Sequence, residues 1–496
     1  MRTNRIVVIA ALAVVVDTGV GTAAHAAASA GARAQASAAV PTVTGPVTGG
    51  SPGVLANAMT PSLKKKYRYT EREYFLSGTA TAYRPDGTWT EDGRWGVQPT
   101  TTAPYKTRII VRAPRNPKRF SGIVVLEWMN ETAGRDADPD FGFAYPEMLA
   151  HGDAYVAVSA QALGVVGGAG AKLPIPGYNP TSLTKWDPTR YGSLTHPGDD
   201  YSYDVFSQAA AAVRATKGVK PLGALKPRRL VAAGESQSAA RMVTYANAIQ
   251  PVSHAFDGFV IHSRGNSAAS LATGAPAPPA VAHIRDDLTA PVMQLETETD
   301  LFGLGFVKSR QADTDRLRTW EMAGTAHADQ STLDYGETSG RSWDKVDTVP
   351  DFTQQCGSIN NGQQAQVVRA AFAAMDGWVT KGTKPTQADA ITLKADGSAI
   401  ERDEHGNAVG GVRTPSVDAP ISTLSGEMDK SRSVICSLFG SVTPFDAATL
   451  QQLYPTHADY VAKVTRSARR TVGNGFMLRP DAAIIVAQAR RAPVPS

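Results

Sequence analysis

The run LVAAGESQSAARMV, Leu230 to Val243, sets Ser236 between Gly234 and Ser238. A serine hydroxyl attacks a carbonyl only when a base takes its proton and fixed donors receive the charge that develops on the attacked oxygen. A sharp strand-to-helix turn offers that setting, because it lifts the serine above a sheet and aims backbone N–H groups at one point. The chain then folds back on itself, so small residues are needed two places before and after. Gly234 and Ser238 meet the demand, although the usual GxSxG pattern carries glycine at the second position.

Serine between small residues also occurs at ordinary helix N-caps, so the partners decide. The expected chain order is serine, then an acid, then histidine, each on a loop after a successive strand. APVMQLE runs into TETDLFG, which puts Glu296, Glu298 and Asp300 near the end of one strand; LRTWEMAG runs into TAHAD, which puts His327 just past the next. His327 is the expected general base and Asp300 the expected acid on its Nδ1–H. Asp300 is preferred because it lies farthest out on its loop, before LFG; Glu298 is the alternative acid, and Glu296 stays open. Gln237, the residue after the serine, is the first expected oxyanion donor, and the second is expected after the third strand, at Asn130 or Glu131.

Other candidates read as structure. His151, His254, His283 and His405 fall at a helix end, in connections or in a charged turn, and His262 in VIHSRG reads first as a hydrogen-bonded core histidine, the alternative being that it faces the pocket with Arg264. GVVGGAG, 164–170, has the wrong spacing for a phosphate loop and reads as a flexible loop. HExxH, CxxC, Walker and EF-hand patterns do not occur, so no metal and no cofactor is expected.

The elements that must position these residues follow from periodicity. Two β-rich runs, YTEREYFLSGTATAY and APYKTRIIVRAP, come first. Short apolar runs then alternate with helical patterns: GIVVLEWMN, a helix ending YPEMLAHG, AYVAVSAQ, a helix YDVFSQAAAAVRATKG stopped by Gly218, and RRLVAAG. The helix after Ser236 is expected to stop before Pro251. DGFVIH, APVMQLE, LRTWEMAG and the helix VVRAAFAAMDGWVTKG complete the series. Such alternation predicts an α/β chain with a mostly parallel, doubly wound sheet, occupying residues 57–382, and a long C-terminal extension, 383–496, packed on it.

The amino terminus differs in kind. Arg2 and Arg5 precede IVVIAALAVVV, Asp17 interrupts the apolar run, and Ala24, His25 and Ala26 offer a cleavage site, so residues 1–26 read as a secretory signal peptide rather than a membrane span. Residues 27–56, rich in Ala, Ser, Gly, Pro and Thr, read as a flexible leader. In an exported chain the two cysteines, Cys356 and Cys436, are expected to form a disulfide. The net charge of +5 is dispersed apart from Lys64–Lys66, which excludes a nucleic-acid footprint. No stable membrane insertion is expected, and oligomeric state is left open.

EWMNETAGRD, HPGDDYSYDVFSQ, GESQSAARMVTY, HSRG, ETETD, AGTAHAD, HGNAVGGVRTP and SLFGSVTPF together resemble a family of often exported α/β hydrolase domain proteins. The resemblance implies an α/β-hydrolase fold with Ser236 and His327 in motif positions and Asp300 as the acid. It also implies that the cysteines and the long tail are family features, the tail covering the pocket. The expectation is a secreted serine hydrolase cleaving small or moderately hydrophobic carboxylic esters through an acyl-enzyme. An acyltransferase using the same residues, or a non-catalytic binding protein on the same fold, remains open at this point.

Overall fold

The computed structural model describes residues 38–53, 57–168, 180–343, 351–429 and 431–495. The expected signal peptide, the first part of the expected leader and residues 169–179 of the glycine-rich excursion lie outside them. Among the described residues nine strands form one sheet, in the order β1-β2-β3-β5-β4-β6-β7-β8-β9. They are β1 Thr42–Thr44, β2 Tyr69–Asp86, β3 Gly96–Pro114, β4 Ile123–Trp128, β5 Ala154–Val158, β6 Arg229–Glu235, β7 Gly258–His262, β8 Val292–Thr297 and β9 Leu317–Met322. The first three pair antiparallel, β3 meets β5 antiparallel, and every pair from β5 through β9 is parallel.

The parallel strands read as apolar runs because both their faces are covered. Leu230 and Ala232 of β6 join one core with Leu126, Phe259 and Ile261. Val231 and Ala233, one residue out of phase, join the other with Val125, Val260, Met293 and Trp320. Helices α1 Pro139–His151 and α4 Gln364–Lys381 cover the second face; α2 Ser202–Arg214 and α3 Gln237–Thr244 cover the first. The order in which strands are added reverses at β4: β5 and β6, the next two in sequence, lie on its opposite sides. Loops leaving β4 and β6 therefore part at their carboxyl ends, where such folds place their ligands.

Four expectations need correcting. Thr42–Thr44, assigned to the flexible leader, pairs with Phe75–Ser77 at the sheet edge; its middle residue, Val43, is buried opposite Leu76 between two exposed threonines. The helix after Ser236 does not stop before Pro251: a π turn, Tyr245–Ile249, carries it on to Ser253, so the proline sits in the first turn of the final segment, where its missing N–H is tolerated. Helix α2 ends at Arg214 rather than Gly218, because Ala215 turns to extended backbone. Gly164 and Val165 of the expected loop also form part of a short helix, Ala162–Val165.

The tail is built into the same compact unit, Ala36–Ser496. Val412 hydrogen-bonds Glu321 and Ala323 and so covers the open edge of β9. Helices α5 His457–Gly473 and α6 Arg479–Ala489 enclose a small core with Tyr454, Tyr460 and Val464. Arg369 of α4 grips Asp481 of α6 with two bonds of 3.0 and 2.9 Å. Cys356 and Cys436 are joined in a disulfide. No helix among the described residues is long and apolar enough to cross a membrane.

Candidate active site

Ser236 sits between the last residue of β6 and the first of α3 with φ 58° and ψ −116°. A side-chain-bearing residue pays about 1–3 kcal/mol for such a backbone, so the turn must be held by its surroundings. The Ser236 N–H donates to the His262 carbonyl at 2.9 Å. Gly234 is required by contact: a Cβ there would lie 2.9 Å from Met242 Cγ and from the Ser238 carbonyl oxygen. Ser238, by contrast, is helical and needs no left-handed backbone; its buried hydroxyl has no partner among the described residues.

His327, on the loop after β9, brings Nε2 to 2.8 Å from Ser236 Oγ and Nδ1 to 2.7 Å from Asp300 Oδ1. A carboxylate only accepts, so in the neutral ring Nδ1 carries the hydrogen and Nε2 offers its lone pair to the hydroxyl. Asp300 has no freedom to turn away. Its Oδ2 accepts the Thr297 N–H at 2.7 Å and the Thr297 hydroxyl at 2.8 Å, closing a capping box on the short helix Glu298–Phe302. Burial lowers the imidazole pKa, but Asp300 and then Glu235 outweigh it and raise it to about 9. The chain of contacts can pass the hydroxyl proton to Nε2 while Asp300 balances the imidazolium.

The alternative acids point elsewhere. Glu298 is buried and turned toward the tail, accepting from the Gly324 and Gly426 N–H groups at 2.7 and 3.0 Å and from Arg402 at 2.8 Å. It is a clamp, not a partner of His327. Glu296 is buried away from His327; burial, reinforced by Asp300 and opposed by Arg264, pushes its carboxyl well above the ordinary range.

Gln237 opens α3, and its backbone N–H has no acceptor among the described residues, as expected of a first-turn donor. The two other donor candidates separate. Asn130 is already committed: its N–H donates to Ala137 at 2.7 Å, closing a bridge across the loop after β4. Its side-chain amide donates to the Glu235 carbonyl at 3.1 Å and to Glu235 Oε2 at 3.2 Å. Glu131 keeps a backbone N–H with no partner among the described residues, while its carboxylate accepts from Gly164 at 2.8 Å.

Several residues around the serine went unmarked in the sequence. Gln237 Nε2 donates to Gln161 Oε1 at 3.0 Å, and Arg241 donates to Asp199 at 2.9 Å. Their positions depend on the excursion between β5 and α2, whose irregular pattern gives no register. Glu235 lies inside the serine motif, where its residue type carries no separate signal. His262 is buried between Asp140, 2.9 Å from Nδ1, and Gln364, 3.2 Å from Nε2, and Arg264 donates to Gln294 at 2.9 Å. Both are core residues with partners.

A cavity of about 530 Å³ lined by Ser121, His151, Arg228 and Asp376 lies at the opposite, amino-terminal edge of β4 and β6. His151, Asp153 and Asp376 there form a group of metal-ligand type, but the imidazole already bridges both carboxylates, at 2.8 and 3.1 Å.

A family model described as alpha/beta hydrolase domain matches residues 43–487. Similar solved structures include an α/β serine hydrolase without lid from Xanthomonas campestris, 12% identical over 55% of this chain and 97% of that one, with a TM-score of 0.27. A putative dienelactone hydrolase from Klebsiella pneumoniae subsp. pneumoniae is also 12% identical, over 55% of this chain and 99% of that one, with a TM-score of 0.26. The carboxylesterase Cest-2923 from Lactobacillus plantarum is 11% identical over 44% and 72%, with a TM-score of 0.24. Likenesses this faint carry no argument about activity. No curated protein matches the chain.

Proposed function

Because the chain belongs to the alpha/beta hydrolase domain family, we propose that it is a serine hydrolase acting on carboxylic esters through an acyl-enzyme, exported from the cell. One observation carries the reading: Ser236 Oγ, His327 and Asp300 stand in unbroken hydrogen-bond contact at 2.8 and 2.7 Å. In the proposed reaction Ser236 Oγ attacks the ester carbonyl as its proton moves to His327 Nε2. The N–H groups of Gln237 and Glu131, which have no acceptor among the described residues, are the donors assigned to the oxygen that gains charge. The imidazolium returns its proton to the leaving alkoxide, and water repeats the sequence to release the acid. Export is supported by the amino-terminal pattern and agrees with the disulfide.

A fluorophosphonate probe tests the reading. It should label the protein at Ser236 alone, and a panel of chromogenic esters graded by acyl length should be turned over. Ser236→Ala should abolish both. Labelling that persists in that variant, or turnover left unchanged, would remove the proposal.

A further inference from the structure

Glu235 ends β6 directly before Ser236, and its side chain is buried to within 8% exposure. Its Oε1 lies 3.5 Å from His327 Nε2, the atom that receives the serine proton in the reading above. The other oxygen, Oε2, is held by the Asn130 amide at 3.2 Å. Asn130 is itself fixed, through its N–H to Ala137 at 2.7 Å and its Oδ1 to the Thr132 N–H at 2.7 Å. The carboxyl group is thus aimed by a rigid neutral donor. The charged and titratable groups that act on it most strongly are His327, His262 on β7, Asp140 on α1 and Asp300 after β8. Among the described residues no salt bridge joins it to a lysine or arginine; its one cationic neighbour at that range is the His327 ring.

We propose that Glu235 is a positioning residue of this site, a second carboxylate that holds positive charge on His327 Nε2 while Asp300 holds it at Nδ1. The inference rests on the reading of Ser236 and His327 as nucleophile and base. When Nε2 takes the serine proton, the imidazolium N–H faces both the serine oxygen and Glu235 Oε1. A buried carboxylate at that distance favours the charged ring. Its own proton decides when it acts. Burial raises the Glu235 carboxyl, the two histidines oppose this, and Asp140 and Asp300 add to it, leaving it at about 7. Glu235 is therefore neutral under acid conditions and charged under mildly alkaline ones. The Glu235–His327 pair titrates as a unit.

The sign of the effect is fixed. An anionic Glu235 raises the pKa of His327, and the base must be neutral to accept a proton. Glu235→Gln should therefore move the acid limb of kcat/KM against pH to lower pH by about one unit. The plateau should fall about tenfold, because the imidazolium of the transition state loses one counter-charge. Glu235→Asp, which keeps the charge but draws it back by a methylene, should lie between wild type and Glu235→Gln and serves if the glutamine variant folds poorly. The His327 ring titration, followed by NMR without any substrate, should show the same downward shift. An acid limb and a ring titration both unmoved in these variants would overturn the proposal, even if the plateau fell. If the wild-type protein neither turns over esters nor reacts with the fluorophosphonate, the reading of the site has failed, and the ring titration alone then decides whether Glu235 tunes the imidazole.

Discussion

Glu296, Glu298 and Asp300 are two residues apart and would share one face if β8 ran on. The strand instead ends at Thr297, whose N–H and hydroxyl both bind Asp300 Oδ2. The chain turns there, and only Asp300 reaches His327. Asp300→Asn should lower kcat by about four orders of magnitude with little change in unfolding midpoint, since it takes the charge and tautomer control from the base but leaves the packing. Arg402→Ala should do the reverse. Glu298 would remain buried without its cation, at a cost of about 3–5 kcal/mol. Urea denaturation should detect that loss, while kcat at low temperature stays within a few-fold of wild type.

At the scale of elements, the β6–α3 turn explains why serine can stand where the usual pattern has its second glycine. The first glycine is forced by the approach of Met242 and the Ser238 carbonyl, and Gly234→Ala should cost about 1–3 kcal/mol by overpacking. The second position is helical, so its side chain faces no backbone penalty. Its buried hydroxyl, unpaired among the described residues, is a small liability. Ser238→Ala should therefore raise stability by about 1 kcal/mol in thermal unfolding and leave turnover unchanged; a lower melting temperature would show that the hydroxyl has a partner.

For the whole molecule, the tail is part of the machinery's support. Gly426 donates to Glu298 at 3.0 Å and accepts from Thr299 at 2.6 Å, and Thr299 in turn accepts the His327 N–H at 3.1 Å. On the other side of the histidine, the Ala328 N–H donates to Leu438 at 3.1 Å, two residues from Cys436 of the disulfide. Opening that link by Cys436→Ser should cost about 2–4 kcal/mol. Chain ended after Gly382 should be recovered only as aggregate, because it would bare the β9 edge covered by Val412 and the Trp320 face covered by Phe476.

The amino-acid sequence by itself determined the alternation of parallel strands and helices, the strand-to-helix turn at Ser236 and the order of serine, acid and histidine, because these depend on local periodicity and chain order. It favoured Asp300 without excluding Glu298 or Glu296, and it did not show that Asn130 spends its N–H on Ala137 and its amide on Glu235. Nor did it show Thr42–Thr44 as a strand or Pro251 inside a continuing helix. Only the tertiary structure decided those points, because each turns on a partner distant in sequence or on the one direction a side chain takes after its strand ends.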